Sequence, residues 1–408
     1  MLKVDLSKEF EKLTLDYIKE SSLQRRKSLG QYFTPKTIRE ELIKMLPKNT
    51  KRIKILDPAC GTGEFLLSSE KFFKNADLYG WDVDEKLISI CKRISPKATI
   101  ILKDSLTSTT DEKYDIVIGN PPYFEFKPYD GIKNRYREVI NGRINIFNLF
   151  IKLGLDLLKD KGLLAFVVPP SMNNGAYFHK LREYIIKHSN IEYLSVLRSP
   201  KLFNKAQQTV MLIILKKTKN KGNYIFRKNG ITIFSEKPSQ LERAFKGKKT
   251  LKELKYTVKT GRLVWNQNKN LLTHDSDKGV LLIWSKNITP DGLKIPIKGR
   301  KQYVFFNKYD IGPAIVVNRI IGSVGSGQLK ATLINKGTKF IAENHVNVIY
   351  PPVGQLDLEL NNNKNVSLNE IVKQLNSREK TILLQYLTGN TQISKNELEN
   401  LFPIDIKN

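Results

Sequence analysis

The sequence predicts an α/β protein: a doubly wound, mostly parallel sheet in the first half of the chain, then a basic, mixed α+β region. Three observations carry this expectation. Short apolar runs alternate with helix-spaced patterns as far as residue 217, which is how βαβ units read in sequence. Glycines and acidic residues mark the ends of the apolar runs, where open α/β sheets bind ligands. The alternation then stops at a polar, basic stretch, Lys216–Gly222, beyond which the charge becomes denser. The expected domains are therefore 1–219 and 220–408. A chain of 408 residues is long for one domain, and its 40% hydrophobic content allows real cores and excludes global disorder.

In chain order, Leu6–Ile18 reads as helical and leads to a basic segment, Arg25-Arg26-Lys27. The expected strands are Lys54–Asp57, Asp77–Val83, Thr99–Lys103, Tyr114–Gly119, Gly162–Val168, Ile191–Leu197 and Thr209–Lys216. Several are continuous apolar runs, as in strands buried on both faces. Asn145–Lys159 and Tyr177–His188 have apolar residues at helix spacing. After the linker, short β-like runs (Tyr224–Arg227, Gly279–Trp284, Ala314–Ile321, His345–Tyr350) are separated by Gly, Asn and Pro, with helical patterns at Leu368–Leu375 and Arg378–Leu387.

The first strand runs into Asp57-Pro58-Ala59-Cys60-Gly61-Thr62-Gly63-Glu64-Phe65. A glycine-rich turn at a strand end lets a ligand approach the backbone closely. It is not G-x-G-x-x-G, since position 66 is Leu, and it lacks the Gly-Lys-Ser/Thr of a phosphate loop. Asp57 points instead to a cationic or hydrogen-bond-donating ligand. About 20 residues on, the second strand ends in Asp82, placed for the two ribose hydroxyls of a nucleoside, while Asp84 reads as a helix N-cap. Asp104 ends the third strand, as a turn residue or an acceptor for an adenine amino group. The fourth strand ends in Asn120-Pro121-Pro122-Tyr123. The prolines lock φ and remove donors, so the Asn120 side chain and the Pro121 carbonyl can grip an exocyclic amino group, and Tyr123 offers a face for stacking a ring.

DPACGTGEF, GWDVD, KDS and NPPY, in this order and spacing, resemble the motifs of S-adenosylmethionine-dependent N6-adenine DNA methyltransferases, in the gamma-class arrangement of restriction–modification enzymes typified by the Taq enzyme. Gly30-Gln31-Tyr32-Phe33-Thr34-Pro35 resembles the N-terminal cofactor motif, with Thr34 near the methionine end, and Leu202-Phe203-Asn204-Lys205 resembles the motif whose aromatic residue contacts the flipped adenine. The resemblance covers residues 25–217 and implies a seven-stranded, Rossmann-like methyltransferase sheet. It also implies S-adenosylmethionine as cofactor, held by Thr34, Asp57, Ala59, Gly61, Gly63, Asp82, Asp104 and Asn120. Catalysis would fall to Asn120, Pro121 and Tyr123, with Tyr123 and Phe203 stacking the target base. Base flipping follows, because an adenine inside a duplex is unreachable.

The net charge is +29. Residues 220–350 hold 24 basic and 8 acidic side chains, against 39 and 25 in residues 1–219 and 6 and 7 in residues 351–408. A compositional bias would spread evenly, and this does not, so the second half is expected to hold double-stranded DNA. An anionic membrane surface is the other partner class for such charge. Candidate DNA contacts are Arg262, Trp265, Asn266 and Lys269 in Lys259–Asn270, and Arg319 and Lys330 in the glycine-rich Asn318–Lys330. Two alternatives stay open: a methyltransferase acting on ribosomal RNA or a protein glutamine, and a catalytically inert DNA-binding subunit. Two cysteines without C-x-x-C and four scattered histidines argue against a disulfide framework and a metal site. With no apolar run of about 18 residues and no signal peptide, the expectation is a cytoplasmic monomer, served by a separately acting cognate endonuclease.

Overall fold

A computed structural model describes all residues except 1–4, 49–50, 174, 198–209, 320–327, 353–365, 389–391 and 407–408. The chain divides into two compact units, one of Met1–Ile225 with Phe234–Pro238, the other of Phe226–Ile233 with Ser239–Asn408.

The first unit is built on a seven-stranded sheet. Its strands are β1 (Ile53–Asp57), β2 (Ala76–Asp82), β3 (Thr99–Leu102), β4 (Tyr114–Gly119), β5 (Leu158–Val168), β6 (Asn190–Leu197) and β7 (Val210–Lys216), in the order β3-β2-β1-β4-β5-β7-β6. The first five pair parallel, and β7 runs antiparallel between β5 and β6. Parallel pairing sets Asp57 opposite Gly80 and Asp82 opposite Leu102, so the carboxyl ends of β1 to β4 share one edge. Helices and apolar cores cover both faces, with Leu56, Val117 and Phe166 in one cluster and Ile55, Ile116, Ile118 and Ala165 in the other. This two-sided burial is why the strands read as continuous apolar runs.

Two elements depart from the sequence expectation. The N-terminal helical stretch is broken into a single turn, Leu6–Lys8, and α1, Lys12–Glu20. The break is held by distant partners: the Glu11 N–H donates to Glu64 Oε1 at 2.9 Å and the Glu9 carboxylate accepts from the Thr37 N–H at 2.9 Å. The helix expected over Asn145–Lys159 spans Phe147–Leu157, and β5 begins at Leu158 rather than Gly162. A register shift opposite Tyr114/Ile116 lets Leu158 pair with Tyr114, and Lys161 has φ +63° there; a bulge of this kind carries no signal in hydrophobic periodicity.

The second unit holds a four-stranded antiparallel sheet (Thr257–Thr260, Val346–Tyr350, Ala314–Asn318, Ala331–Ile334) and a five-stranded sheet of short strands. Helices Leu368–Leu375 and Lys395–Leu401 open with reciprocal caps, Ser367 with Glu370 and Ser394 with Glu397. Their apolar faces join Leu251, Val258, Ile315 and Ile349 in one core. Among the described residues, no helix is long and apolar enough to cross a membrane and no group of His, Cys, Asp or Glu could hold a metal ion.

Candidate active site

The shared edge of β1 to β4 opens onto a cavity of about 520 Å³, lined among others by Tyr32, Thr34, Asp57, Asp82, Asp104 and Asn120. The turn after β1 is shaped by two left-handed glycines, Gly61 at φ +55° and Gly63 at φ +89°. Gly63 precedes helix Glu64–Phe72, and a Cβ there would stand 2.7 Å from Cys91 Sγ. The turn is tied to β2: the Cys60 N–H donates to the Trp81 carbonyl at 2.9 Å, and the Gly61 N–H to Asp82 Oδ2 at 2.9 Å. Asp82 Oδ1 accepts from the Asp84 N–H at 3.0 Å. Burial raises the Asp82 carboxyl above the usual carboxylate range, against the pull of these N–H donors. Asp84 caps the next helix, accepting from the Lys86 and Leu87 N–H groups. Asp104 is exposed and accepts from the Leu106 N–H at 2.9 Å.

Asp57 is buried at this edge, 2% exposed, and its side chain accepts from the Ala59 N–H at 3.1 Å. Burial, added to by Asp82, pushes its carboxyl up to about 8. A buried carboxylate in this position favours a cationic partner. Thr34 also lines the cavity, is 4% exposed, and its Oγ1 has no hydrogen-bond partner among the described residues. A hydroxyl buried and unpaired on a cavity wall is suited to a polar ligand.

Sequence reasoning missed the strut behind Thr34. Arg39 is 2% exposed and donates Nη1 to the Thr34 carbonyl at 2.5 Å, Nε to Ser68 Oγ at 3.1 Å and Nη2 to Glu64 Oε2 at 2.8 Å. It locks the Gly30–Pro35 segment to the helix that follows the glycine turn. Its signal was present only as an arginine on a helix face and a glutamate closing the turn.

Asn120 and Tyr123 follow β4. Asn120 Nδ2 donates to the Tyr32 carbonyl at 2.6 Å, and Asn120 Oδ1 accepts a short hydrogen bond from the Tyr123 hydroxyl, which also reaches the Val167 carbonyl at 2.6 Å. Tyr123 is 8% exposed, and burial pushes its pKa up, which keeps the hydroxyl a donor. The Tyr32 ring stacks on it, with centroids 5.8 Å apart and planes at 24°. In contrast to the free Asn120 acceptor and open Tyr123 face that the sequence predicts, both are engaged from within the chain. Pro121 is buried and Pro122 lines the cavity. Phe203 lies outside the described residues.

In the second unit, Arg262 is paired with Asp310 at 2.5 Å. Trp265 packs edge-on to Trp284 at 6.0 Å, with Lys269 at 5.7 Å and Arg300 at 5.8 Å over its ring. Asn266, Lys269 and Lys330 are exposed. Arg319 departs from the expected role of an exposed contact: it is half-buried and donates Nη1 to the Asn344 carbonyl at 2.6 Å, while its own N–H and carbonyl bond His345 and Ile393. Residues 320–327 of that segment lie outside the described residues.

This fold and edge chemistry define a class. The chain belongs to the N-6 DNA methylase family, whose model matches residues 9–284. Among similar proteins, Type II methyltransferase M.CvrRI of Paramecium bursaria Chlorella virus XZ-6E is 29% identical over 347 residues, 83% of this chain and 87% of its own length. Modification methylase CviBIII of Paramecium bursaria Chlorella virus NC1A is 29% identical over 54% of this chain and 58% of its own. Type II methyltransferase M.AccI of Acinetobacter calcoaceticus is 30% identical over 49% of this chain and 39% of its own.

Proposed function

We propose that the protein is a site-specific DNA adenine methyltransferase, the modification component of a restriction–modification system. The observation that carries it is the juxtaposition of Asn120 and Pro122, from the Asn120-Pro121-Pro122-Tyr123 run, with Asp57, Asp82 and Thr34 at one cavity. The unpaired Thr34 Oγ1 and the buried Asp57 carboxyl suit the charged methionine end of S-adenosylmethionine. Asp82 is at the strand end where ribose hydroxyls are held, and Asp104 is an acceptor for the cofactor's adenine amino group. Bound there, S-adenosylmethionine supplies an electrophilic methyl group on a cationic sulfonium.

The chain's own residues do the rest. The target adenine leaves the duplex, at a cost of a few kcal/mol, and stacks on Tyr123, with Phe203 as a second aromatic contact. Asn120 Oδ1 and the Pro121 carbonyl accept from its amino group, drawing electron density onto N6 and aiming its lone pair. Catalysis is then alignment and acceptor placement. The second unit holds duplex DNA through its lysines and arginines and reads the sequence. The enzyme acts as a cytoplasmic monomer beside a separate endonuclease.

One assay tests this. Incubated with labelled S-adenosylmethionine and mixed-sequence duplex DNA, the protein labels adenine N6 within one sequence. Label on cytosine, on RNA or on protein alone overturns the reading, and no transfer at all leaves the inert subunit. Asn120→Ala abolishes turnover and largely spares cofactor binding; equal loss of both means that Asn120 holds the cofactor instead.

A further inference from the structure

Tyr32 lies in the Gly30–Pro35 segment and makes two contacts with the residues that follow the fourth strand. Its ring stacks on Tyr123, its carbonyl holds Asn120 Nδ2 at 2.6 Å, and it lines the cavity from which Tyr123 is itself screened. Tyr123 also packs edge-on against Phe147 at 6.2 Å, so the face under Tyr32 is the one that a planar guest from the cavity would take. Asn120 Oδ1 is meanwhile capped by the Tyr123 hydroxyl. The two features that a planar amino-bearing ring needs, an aromatic face and an acceptor, are both filled by the chain.

From this geometry we infer that Tyr32 is a positioning residue that occupies the target-base place on Tyr123, and that capture of the flipped adenine requires its ring to swing aside. This rests on the adenine methyltransferase reading above. The exchange is nearly balanced by construction. One aromatic stack is traded for another, and the Tyr123 hydroxyl keeps the Val167 carbonyl as an acceptor when it releases Asn120. The Tyr32 ring covers the apolar Tyr123 face and the Tyr123 hydroxyl satisfies the Asn120 acceptor while no base is present. The ring also sets a threshold: a base that stacks more weakly than Tyr32 does not displace it.

The test uses duplex DNA carrying 2-aminopurine at the adenine mapped by the methylation assay, and a matched duplex with an abasic site there. Tyr32→Ala and Tyr32→Leu are compared with the wild type, Tyr32→Leu keeping apolar bulk in case the smaller side chain unfolds the segment. An aromatic pair contributes up to about tenfold in an equilibrium. Both variants are therefore expected to bind the 2-aminopurine duplex about threefold to tenfold more tightly, with a matching rise in 2-aminopurine fluorescence, and to bind the abasic duplex as the wild type does. Tyr32→Phe, which keeps the ring, stays at the wild-type value. Unchanged or weaker 2-aminopurine binding by a folded Tyr32→Leu, or an equal shift on the abasic duplex, overturns the inference. If the wild type itself methylates no DNA, it is the parent reading that has failed.

Discussion

At the level of single residues, Asp57 is expected to link cofactor binding to pH. Its folded-state carboxyl, at about 8, lies above its ordinary value. The folded protein therefore holds this proton more tightly than the unfolded chain does. The ionised group costs stability progressively as pH rises from about 4 to about 8, and the cost is absent below that window. A cationic ligand reverses the preference, so binding of S-adenosylmethionine releases a proton between pH 6 and 8 and tightens as pH rises. Calorimetry in buffers of different ionisation enthalpy measures this; a buffer-independent heat contradicts it. Asp57→Asn removes both effects. It raises the Tm of the free protein at pH 8 and weakens cofactor binding at least tenfold, by loss of a charge-assisted contact. Asp57 itself was legible in the sequence, because a strand end followed by a glycine turn is a local pattern. Its protonation was not, because it depends on burial beside Asp82, 25 residues away in sequence.

At the level of elements, the Arg39–Glu64 pair holds the Gly30–Pro35 segment onto the helix after the glycine turn, with side chains 3% and 7% exposed. Removing one partner of such a pair costs about 3–5 kcal/mol, since the other charge is left buried. Arg39→Met is therefore expected to lower unfolding stability by about that amount in urea titrations, and to weaken cofactor binding as Thr34 loses its support. A change below about 1 kcal/mol would place the pair in water rather than in the core. Gly63→Ala tests the turn itself. A non-glycine residue at φ +89° with Cys91 Sγ 2.7 Å from its Cβ costs about 1–3 kcal/mol, read as a lower Tm of the first unit and weaker cofactor binding. The strands of the sheet and the helices Phe147–Leu157 and His179–His188 followed from periodicity, whereas Lys36–Lys44, Glu64–Phe72 and Glu85–Ile94 were not read from it. The broken N-terminal helix and the early start of β5 did not follow from it either, because both are fixed by partners across the fold.

Across the whole molecule, the charge is unevenly divided. Five carboxylates, Asp57, Glu64, Asp82, Asp84 and Asp104, line the cavity at the sheet edge, while the net positive charge is densest in residues 220–350. Duplex binding is thus expected to fall steeply with salt, and Lys269→Ala and Lys330→Ala each to reduce the slope of log K against log salt by about 1, with little effect on Tm. Arg319→Ala is expected to behave differently: it removes a donor from the Asn344 carbonyl, lowers the Tm of the second unit and leaves the salt slope of the folded protein nearly unchanged. A slope change equal to that of the lysines would return Arg319 to the DNA surface.

The linear chain already specified where the strands of the sheet fall, the placement of Asp57, Asp82, Asp104 and Asn120 at strand ends, and the uneven charge, because each rests on residue type and local pattern. It did not specify that Tyr32 covers Tyr123, that Arg39 ties Thr34 to Glu64, or that Arg319 turns inward. Those are contacts between residues distant in sequence, Tyr32 and Asn120 standing 88 positions apart. Periodicity reports only which face of its own element a residue occupies; what meets that face is set by how the elements pack.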